Sequence, residues 1–503
     1  MTQTWKCDVC GYVHTGPQPP DTCPICGVEK EMFAPFEAAV EQSRHTSKTT
    51  RWRCTVCDYI HEGESPPEIC PVCGAKASLF EPVHEQAGVS FSPDVETVVI
   101  IGAGIAGVIA AEKARHTAFK VKIIVINKEP APPYYRLNLT RFLAKEVDEN
   151  SLPLHDRDWF KKNRIQLLQG EVTQIQRQDK CVKLRDGSEI SYDRLILANG
   201  AHPFIPPLPG ASREGVYVLR TVEDAKEIAQ RAQTSSRCVC IGGGLLGLET
   251  AGALVRNGVK TTVLESFKSL LPRQLPERAG KMLEQHVSKN GIDVRCDVKV
   301  SEIIGDEAAR AVRLGSGEEI GCDLVVLSTG VRPNSYLARQ CQLDVSRGVI
   351  VDDELFTSDR SILAAGDLTE HRGVVYGIWP ASYSQGTVAG INAVGGRARF
   401  PGIPPSNRLK VMDVDLFSIG QIEATDGSYS TYEHETETTY VRILCQDSTL
   451  KGAALYGDTT SALAIKEAIE NQTQLGDLDQ LGDNVPGWMD FLSRCGCNSQ
   501  GKE

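Results

Sequence analysis

Residues 95–114 read VETVVIIGAGIAGVIAAEKA. The β-branched run Thr97 to Ile101 suits a strand buried on both faces, and the small apolar residues after Gly107 suit a packed helix. Between them, Gly102-Ala103-Gly104-Ile105-Ala106-Gly107 has the spacing G-x-G-x-x-G. The first glycine permits a tight turn, the second a close backbone approach to a ligand, and the third close packing of helix on strand. A pyrophosphate can then sit at the helix N-terminus, where unpaired N–H groups favour an anion. The segment predicts a nucleotide cradle of strand, loop and helix. Val98 to Ala111 is also the longest apolar stretch of the chain. It is shorter than the ~18 residues a membrane span needs, so no such span is expected.

Residues 238–266, CVCIGGGLLGLETAGALVRNGVKTTVLES, repeat the pattern with Gly242, Gly244 and Gly247. Leu246 and Glu249 in the following helix join the candidate set. Glu265 ends the next strand, 18 residues past Gly247. A carboxylate there accepts from a free ribose 2′-hydroxyl and repels a 2′-phosphate, which predicts NADH over NADPH. In the first cradle the strand VKIIVI ends at Asn127, and the nearest carboxylate is Glu129, 22 residues past Gly107. Glu129 is favoured for the ribose, with Asn127 as the alternative. Other apolar runs (RLILA, DLVVLS, SILAAG) alternate with helical stretches as in a buried parallel sheet. After Pro404 the strand-like pieces shorten, and a helix SALAIKEAIE is expected to be capped by one of Asp458, Thr459 or Thr460.

At 503 residues the chain exceeds one core, since single domains seldom pass ~250–300 residues. A net charge of −11 argues against nucleic acid as a partner. The opening MTQTWKCDVC has neither a basic nor an apolar leader segment, so no secretory signal is expected. Seventeen cysteines, eight of them in CxxC pairs, favour a reducing cytoplasm and metal chemistry over a disulfide scaffold. Those eight lie in a tandem duplication at an offset of 47: Cys7, Cys10, Cys23 and Cys26 against Cys54, Cys57, Cys70 and Cys73. Trp5/Trp52, Tyr12/Tyr59, His14/His61 and Phe33/Phe80 keep the same offset. Two CxxC turns build a tetrahedral all-sulfur site, and a fold this small needs the metal for its stability. Four-thiolate geometry alone fits zinc and iron equally. With four cysteines per site, His14 and His61 are read as turn or core residues. The polar segments 37–50 and 82–94 read as tethers that would let the modules swing.

The residues around the ligands carry a resemblance. WxCxxCxYxH followed by PxxCPxCGxxxxxF resembles rubredoxin, in the compact form found at the end of rubrerythrins, and all eight ligands match. It implies one iron per repeat, cycling between ferric and ferrous. Asp58 replaces the glycine usual after the first CxxC, which bears on hydrogen bonding to sulfur.

Residues 96–403 resemble the two-dinucleotide-fold flavoprotein reductases: two cradles in this order, LILANGAHPFIPPLPG between them and SILAAGDLTEH after them. The resemblance implies that the first cradle, with Gly200 and Gly366-Asp367, holds FAD. The second, with Gly330, then holds the nicotinamide nucleotide. Asn199 stands where many members have threonine. The disulfide-reducing branches carry cysteines in the helix after the first acidic position. Here that stretch is PAPPYYRLNLTRFLAKEV, and no cysteine occurs between Cys73 and Cys181. Cys238 and Cys240 share one face of a buried strand and read as packing, as do Cys181, Cys296, Cys322, Cys341 and Cys445. Cys495 and Cys497 read as incidental to a frayed terminus, with a mobile redox pair as the alternative. PPYYRLNLTRFL, TGVRPN and LKVMDVDLFSIG resemble NADH:rubredoxin oxidoreductase and the flavin half of the assimilatory nitrite reductase large subunit. Arg136 matches that family's arginine near FAD.

The expected fold class is an α/β two-dinucleotide-binding-domain flavoprotein reductase with an α+β C-terminal domain, preceded by two metal-stapled rubredoxin-like knuckles. The expected domains are knuckles at 1–37 and 50–82, an FAD-binding domain at 94–208 and 322–403, an NAD-binding domain at 209–321, and the C-terminal domain at 404–503. The expected activity moves electrons from NADH through FAD to two Fe(Cys)4 centres and on to an external acceptor protein. No side chain is assigned as catalytic, because hydride goes to FAD without a thiol relay. The resemblance implies a flavodiiron protein, a rubrerythrin or a superoxide reductase as acceptor, for oxygen, peroxide or NO detoxification. The alternatives are a peroxide-forming NADH oxidase, or a reductase whose knuckles hold zinc and bind proteins. The knuckle segment 1–86 is acidic, with seven Lys/Arg against twelve Asp/Glu, which suits docking on basic partner surfaces. The likeness of the repeats favours two equivalent irons working in parallel, with transfer in series as the alternative.

Overall fold

The computed structural model describes residues 95–403 and 406–473, the segments 3–7, 13–16, 33–35, 51–54, 60–70 and 76–82, and single residues 18, 30 and 487. The tethers, apart from Pro82, fall outside the described residues, as do Cys10, Cys23, Cys26, Cys57, Cys73, Cys495 and Cys497, and the side chain of Cys7. The chain divides into two compact units, residues 1–50 and 51–503.

In the first unit, Gln3–Cys7 pairs antiparallel with Val13–Gly16 and Phe33–Pro35. In the second, Arg51–Cys54 pairs in the same way with Ile60–Glu62 and Phe80–Pro82. The register repeats along with the sequence: Trp5 with His14 and Cys7 with Phe33, then Trp52 with His61 and Cys54 with Phe80. Each expected ligand that ends the first strand is thereby paired with the aromatic that closes its repeat.

Five parallel strands form the first large sheet, in the order Ile362–Ala364, Arg194–Leu197, Thr97–Ile101, Lys122–Asn127, Ile165–Gln169. Their apolar runs are buried, as strands covered on both faces require. Helices Ile105–Thr117 and Trp379–Ala393 meet backbone to backbone. A Cβ on Gly386 would lie 2.5 Å from the Ala106 carbonyl oxygen, and one on Gly390 would lie 2.3 Å from that of Ala110. Only glycines allow this approach, and it fixes the segment after Ile362–Ala364 against the first cradle.

The chain leaves this sheet through Ala201–Pro203 and returns through Val331–Pro333, two short strands paired antiparallel. Between them a second parallel sheet runs Val216–Val218, Leu324–Leu327, Arg237–Ile241, Lys260–Leu264, Ile292–Arg295. The expected boundary at 321/322 is therefore corrected. The DLVVLS strand is central to the second sheet, paired with both Val216–Val218 and Arg237–Ile241, and the return lies at the 331–333 crossing. Runs of one composition served both sheets, so the sequence did not say which sheet this strand joined.

The C-terminal region is a five-stranded antiparallel sheet with the helix Ala462–Glu470. KVMDVDLFSIG is a tight hairpin, Ser406–Val411 and Val414–Gly420, turned by Met412 and Asp413 at φ 45° and 71°. The expected caps at 458–460 are corrected to Ser461, whose carbonyl accepts from Ile465 N–H. Asp458 instead takes Thr460 N–H in a local turn. Val411, Leu416, Tyr440 and Tyr456 of this domain share a buried core with the helices of the second nucleotide unit. No helix among the described residues is long and apolar enough to cross a membrane.

Candidate functional site

The three glycines of each cradle divide their work as the chemistry requires. Gly102 sits at φ 103°, and a Cβ there would lie 2.3 Å from the Ala198 carbonyl oxygen; one on Gly107 would lie 2.0 Å from that of Gly102. A Cβ on Gly104, the N-cap of Ile105–Thr117, meets nothing within 4 Å. In the second cradle Gly242 and Gly247 are equally tight, at 2.4 Å from Ser328 O and 2.0 Å from Gly242 O, while Gly244 again faces open space. Neither helix has a side-chain N-cap or an acidic first turn. Both N-termini thus suit an anion laid across the middle glycine.

Around the first cradle lies a polar network that the sequence did not announce. Glu129 accepts from the Tyr134 hydroxyl at 2.6 Å and from Arg136 at 2.7 Å. Arg136 also donates to Tyr134 Oη at 2.9 Å and to the Arg220 carbonyl. Arg220 in turn reaches Asp367 at 3.4 Å, and Ser382 donates to the other oxygen of Asp367 at 3.2 Å. Burial, and secondarily the Arg136 charge, pushes the Arg220 guanidinium down, with Asp367 opposing. Burial pushes the Tyr134 phenol up, so it stays a donor. Gly200 lies beside Arg220. Gln385 accepts from Gly366 N–H and the Thr369 hydroxyl, both at 2.8 Å, while its buried NH2 has no protein partner. That donor is available to a bound group.

Asn127 ends the strand Lys122–Asn127. Its amide donates to Ala131 O at 2.8 Å and accepts from Glu129 N–H at 3.3 Å, shaping the turn that presents Glu129. Asn199 exchanges reciprocal amide–carbonyl bonds with Asn334, at 2.8 and 2.6 Å, clamping the two crossing segments together.

In the second cradle, buried Glu265 accepts from Gly243 N–H at 2.7 Å and Phe267 N–H at 2.9 Å. Ser266 Oγ donates to it at 3.2 Å as well, so of a carboxylate's about four lone pairs one remains for a ribose hydroxyl. Leu246 is exposed on the first helical turn, and Gly330, at φ 99°, also faces open space. Glu249 points elsewhere than the loop: it accepts from Thr140 Oγ1 at 2.8 Å, joining the two nucleotide units. Burial pushes its carboxyl up to about 7.

Cys238 and Cys240 pack together in the sheet, with sulfurs 3.9 Å apart. Burial pushes the thiols of Cys296 and Cys322 up to about 12, far from the thiolate a relay needs. Cys181, Cys322, Cys341 and Cys445 are buried as expected; Cys296 is corrected to partly exposed.

With this geometry in place, comparison with known proteins decides the family. Residues 96–386 match the family model for pyridine nucleotide-disulphide oxidoreductase. The chain belongs to the pyridine nucleotide-disulphide oxidoreductase family. Residues 405–473 match the rubredoxin NAD+ reductase C-terminal domain, and residues 5–34 and 52–81 each match the rubrerythrin rubredoxin-like domain. The nitrite reductase [NAD(P)H] of Bacillus subtilis (strain 168) is 32% identical over 421 residues, covering 80% of this chain and 52% of that protein. The chain thus spans about half the length of that relative. The rubredoxin-NAD(+) reductase of Pseudomonas putida is 35% identical over 283 residues, 56% of this chain and 74% of the relative. The solved NADH:rubredoxin oxidoreductase from Clostridium acetobutylicum superposes with a TM-score of 0.68 at 28% identity, covering 78% of this chain and 99% of that one. FAD and NADH fit this oxidoreductase family, and the rubredoxin-like domains suggest iron. This pyridine nucleotide-disulphide oxidoreductase has no cysteine in its Pro130–Val147 stretch.

Proposed function

We propose that the chain is an NADH-dependent flavoprotein reductase that delivers electrons to its own rubredoxin-type centres and through them to an external acceptor protein. The observation that carries this reading is the pair of matched open cradles in residues 95–403, where burial pushes the thiols of Cys238, Cys296 and Cys322 up. FAD, when bound, supplies the conversion between the two-electron hydride of NADH and the single electrons that a four-cysteine iron centre takes. The loop Gly102, Ala103, Gly104, Ile105, Ala106 and Gly107 would hold its pyrophosphate. Glu129, oriented by Tyr134 and Arg136, faces the ribose, and Asp367, held by Arg220 and Ser382, takes the ribityl side with Gly200.

Gly242, Gly244, Leu246, Gly247 and Gly330 would hold NADH, with Glu265 on the adenosine ribose. A 2′-phosphate against that buried carboxylate is repelled, so NADPH is the poorer donor. Glu249 serves through Thr140, as a tie between units rather than as a nucleotide ligand. Cys7, Cys10, Cys23 and Cys26, then Cys54, Cys57, Cys70 and Cys73, would hold one iron each. The acceptor class to test first is a flavodiiron protein, a rubrerythrin or a superoxide reductase.

Elemental analysis and an anaerobic NADH titration test the reading together. Two irons per chain, one FAD, and loss of both flavin and ferric colour with NADH are expected. Two zinc and no iron would reject the electron-carrier role. Iron that stays ferric in the titration, with peroxide formed once air is admitted, would assign a simple NADH oxidase.

A further inference from the structure

The two knuckles are near-copies, yet the second alone shares a compact unit with the reductase. Its buried centre is Cys54, Cys70 and Phe80, and around this pack Trp52 and Leu79 of the knuckle together with Tyr135 and Trp379 of the reductase. Tyr135 and Trp379 stack on each other, centroids 5.6 Å apart and 25° from coplanar. Tyr135 sits in the chain between Tyr134 and Arg136, both bound to Glu129. Trp379 opens the helix that carries Ser382 and Gln385 to Asp367 and Gly366. The knuckle therefore packs with two aromatics, each carried by a segment whose neighbouring residues join the polar network at the first cradle.

We propose that Tyr135 and Trp379 form the electron-acceptor docking surface of this reductase, and that the chain's own second knuckle occupies it. This rests on the functional reading above and deepens it, because it gives the two knuckles different places. The second knuckle takes electrons from the reductase. It also sets partner choice: a separate rubredoxin-type protein is excluded from a surface that the tethered knuckle already fills. A short tether holds the knuckle at an effective concentration on the order of millimolar, which a free protein must overcome. Each NADH, oxidised to NAD+ and a proton, releases two electrons, and each iron changes between ferric and ferrous by one. The second centre is thus filled and emptied twice for each NADH oxidised. The swinging of both modules expected from the polar tethers gives way to one seated knuckle.

The test uses the full chain and a purified, fluorescently labelled single-site rubredoxin. Hydrogen exchange comes first: residues 52–54, 79–81 and 134–136 should be protected in the wild type, and Leu79→Asp should release that protection. Leu79→Asp vacates the surface whether the knuckle merely undocks or unfolds. Binding of the labelled rubredoxin, read by anisotropy, should then strengthen by about tenfold or more. Adding Trp379→Ala or Tyr135→Ala to Leu79→Asp should abolish that gain. Equal binding to wild type and Leu79→Asp, or unprotected amides at 79–81 in the wild type, would overturn the proposal. Loss of NADH-driven flavin bleaching in the wild type would instead reject the functional reading, while exchange still reports on the docking surface.

Discussion

Replacing Gly104 and Gly107 separately by alanine distinguishes a ligand-facing glycine from a packing glycine in the same loop. Gly104 has φ −72° and ψ −177°, extended backbone open to any residue, and its added methyl meets no protein atom within 4 Å. Gly104→Ala should lower the stability of the ligand-free protein by only about 0.5–1 kcal/mol, the difference between glycine and alanine as an N-cap. The methyl of Gly107→Ala would lie 2.0 Å from the Gly102 carbonyl, inside contact distance by more than an ångström, and rigid backbone cannot yield cheaply. Helix and strand must separate, at a cost of about 1–3 kcal/mol. FAD binding, followed by quenching of flavin fluorescence, should reverse the ranking of effect and cause. Gly104→Ala should raise Kd by about tenfold or more, or ~1.4 kcal/mol, while its ligand-free thermal transition stays near that of the wild type. Gly107→Ala should lose thermal stability even without ligand. If Gly104→Ala binds FAD as tightly as the wild type, no pyrophosphate crosses that glycine and the reasoning fails.

Glu265→Ala should narrow the preference for NADH from about tenfold or more in kcat/KM toward parity, because it removes the charge that opposes a 2′-phosphate; equal use of both cofactors by the wild type would show that Glu265 does no such work. Glu249, raised from 4.5 to about 7 in the folded state, binds more protons there than in the unfolded chain. Its contribution to stability is therefore complete below pH 4.5 and lost as pH rises through 7, by up to about 3 kcal/mol. Glu249→Gln should flatten that slope in urea unfolding of the ligand-free protein, and an unchanged slope would place the titration elsewhere. Cys73→Ser should stop NADH-dependent reduction of both irons, whereas Cys26→Ser should leave the second iron reducible; two equal half-losses would return the knuckles to parallel carriers.

Much of this was legible because the relevant physics is local. Glycine spacing reports backbone clearance directly, and the clearances at Gly102, Gly104 and Gly107 follow the order the motif implies. The knuckle duplication carried its register with it, since cysteine and aromatic spacing fix the strand pairing. What escaped was long-range. Arg220 lies next to the Thr221 capping box of Val222–Ala232 and carries no motif, yet it meets Asp367 across 147 residues. Ser382 and Gln385 look like ordinary helix residues until Gly386 and Gly390 bring their helix onto the first cradle. The sheet joined by Leu324–Leu327, and the packing of the second knuckle with Tyr135 and Trp379, depend on partners that no window of sequence contains.

Anaerobic stopped-flow mixing with NADH, following flavin and ferric-thiolate absorbance separately in the intact chain, tests the central claim most directly. Flavin absorbance should fall first and the iron bands after it, at a rate independent of protein concentration, because donor and acceptor share one chain. Full flavin reduction with the iron bands unchanged would contradict the account.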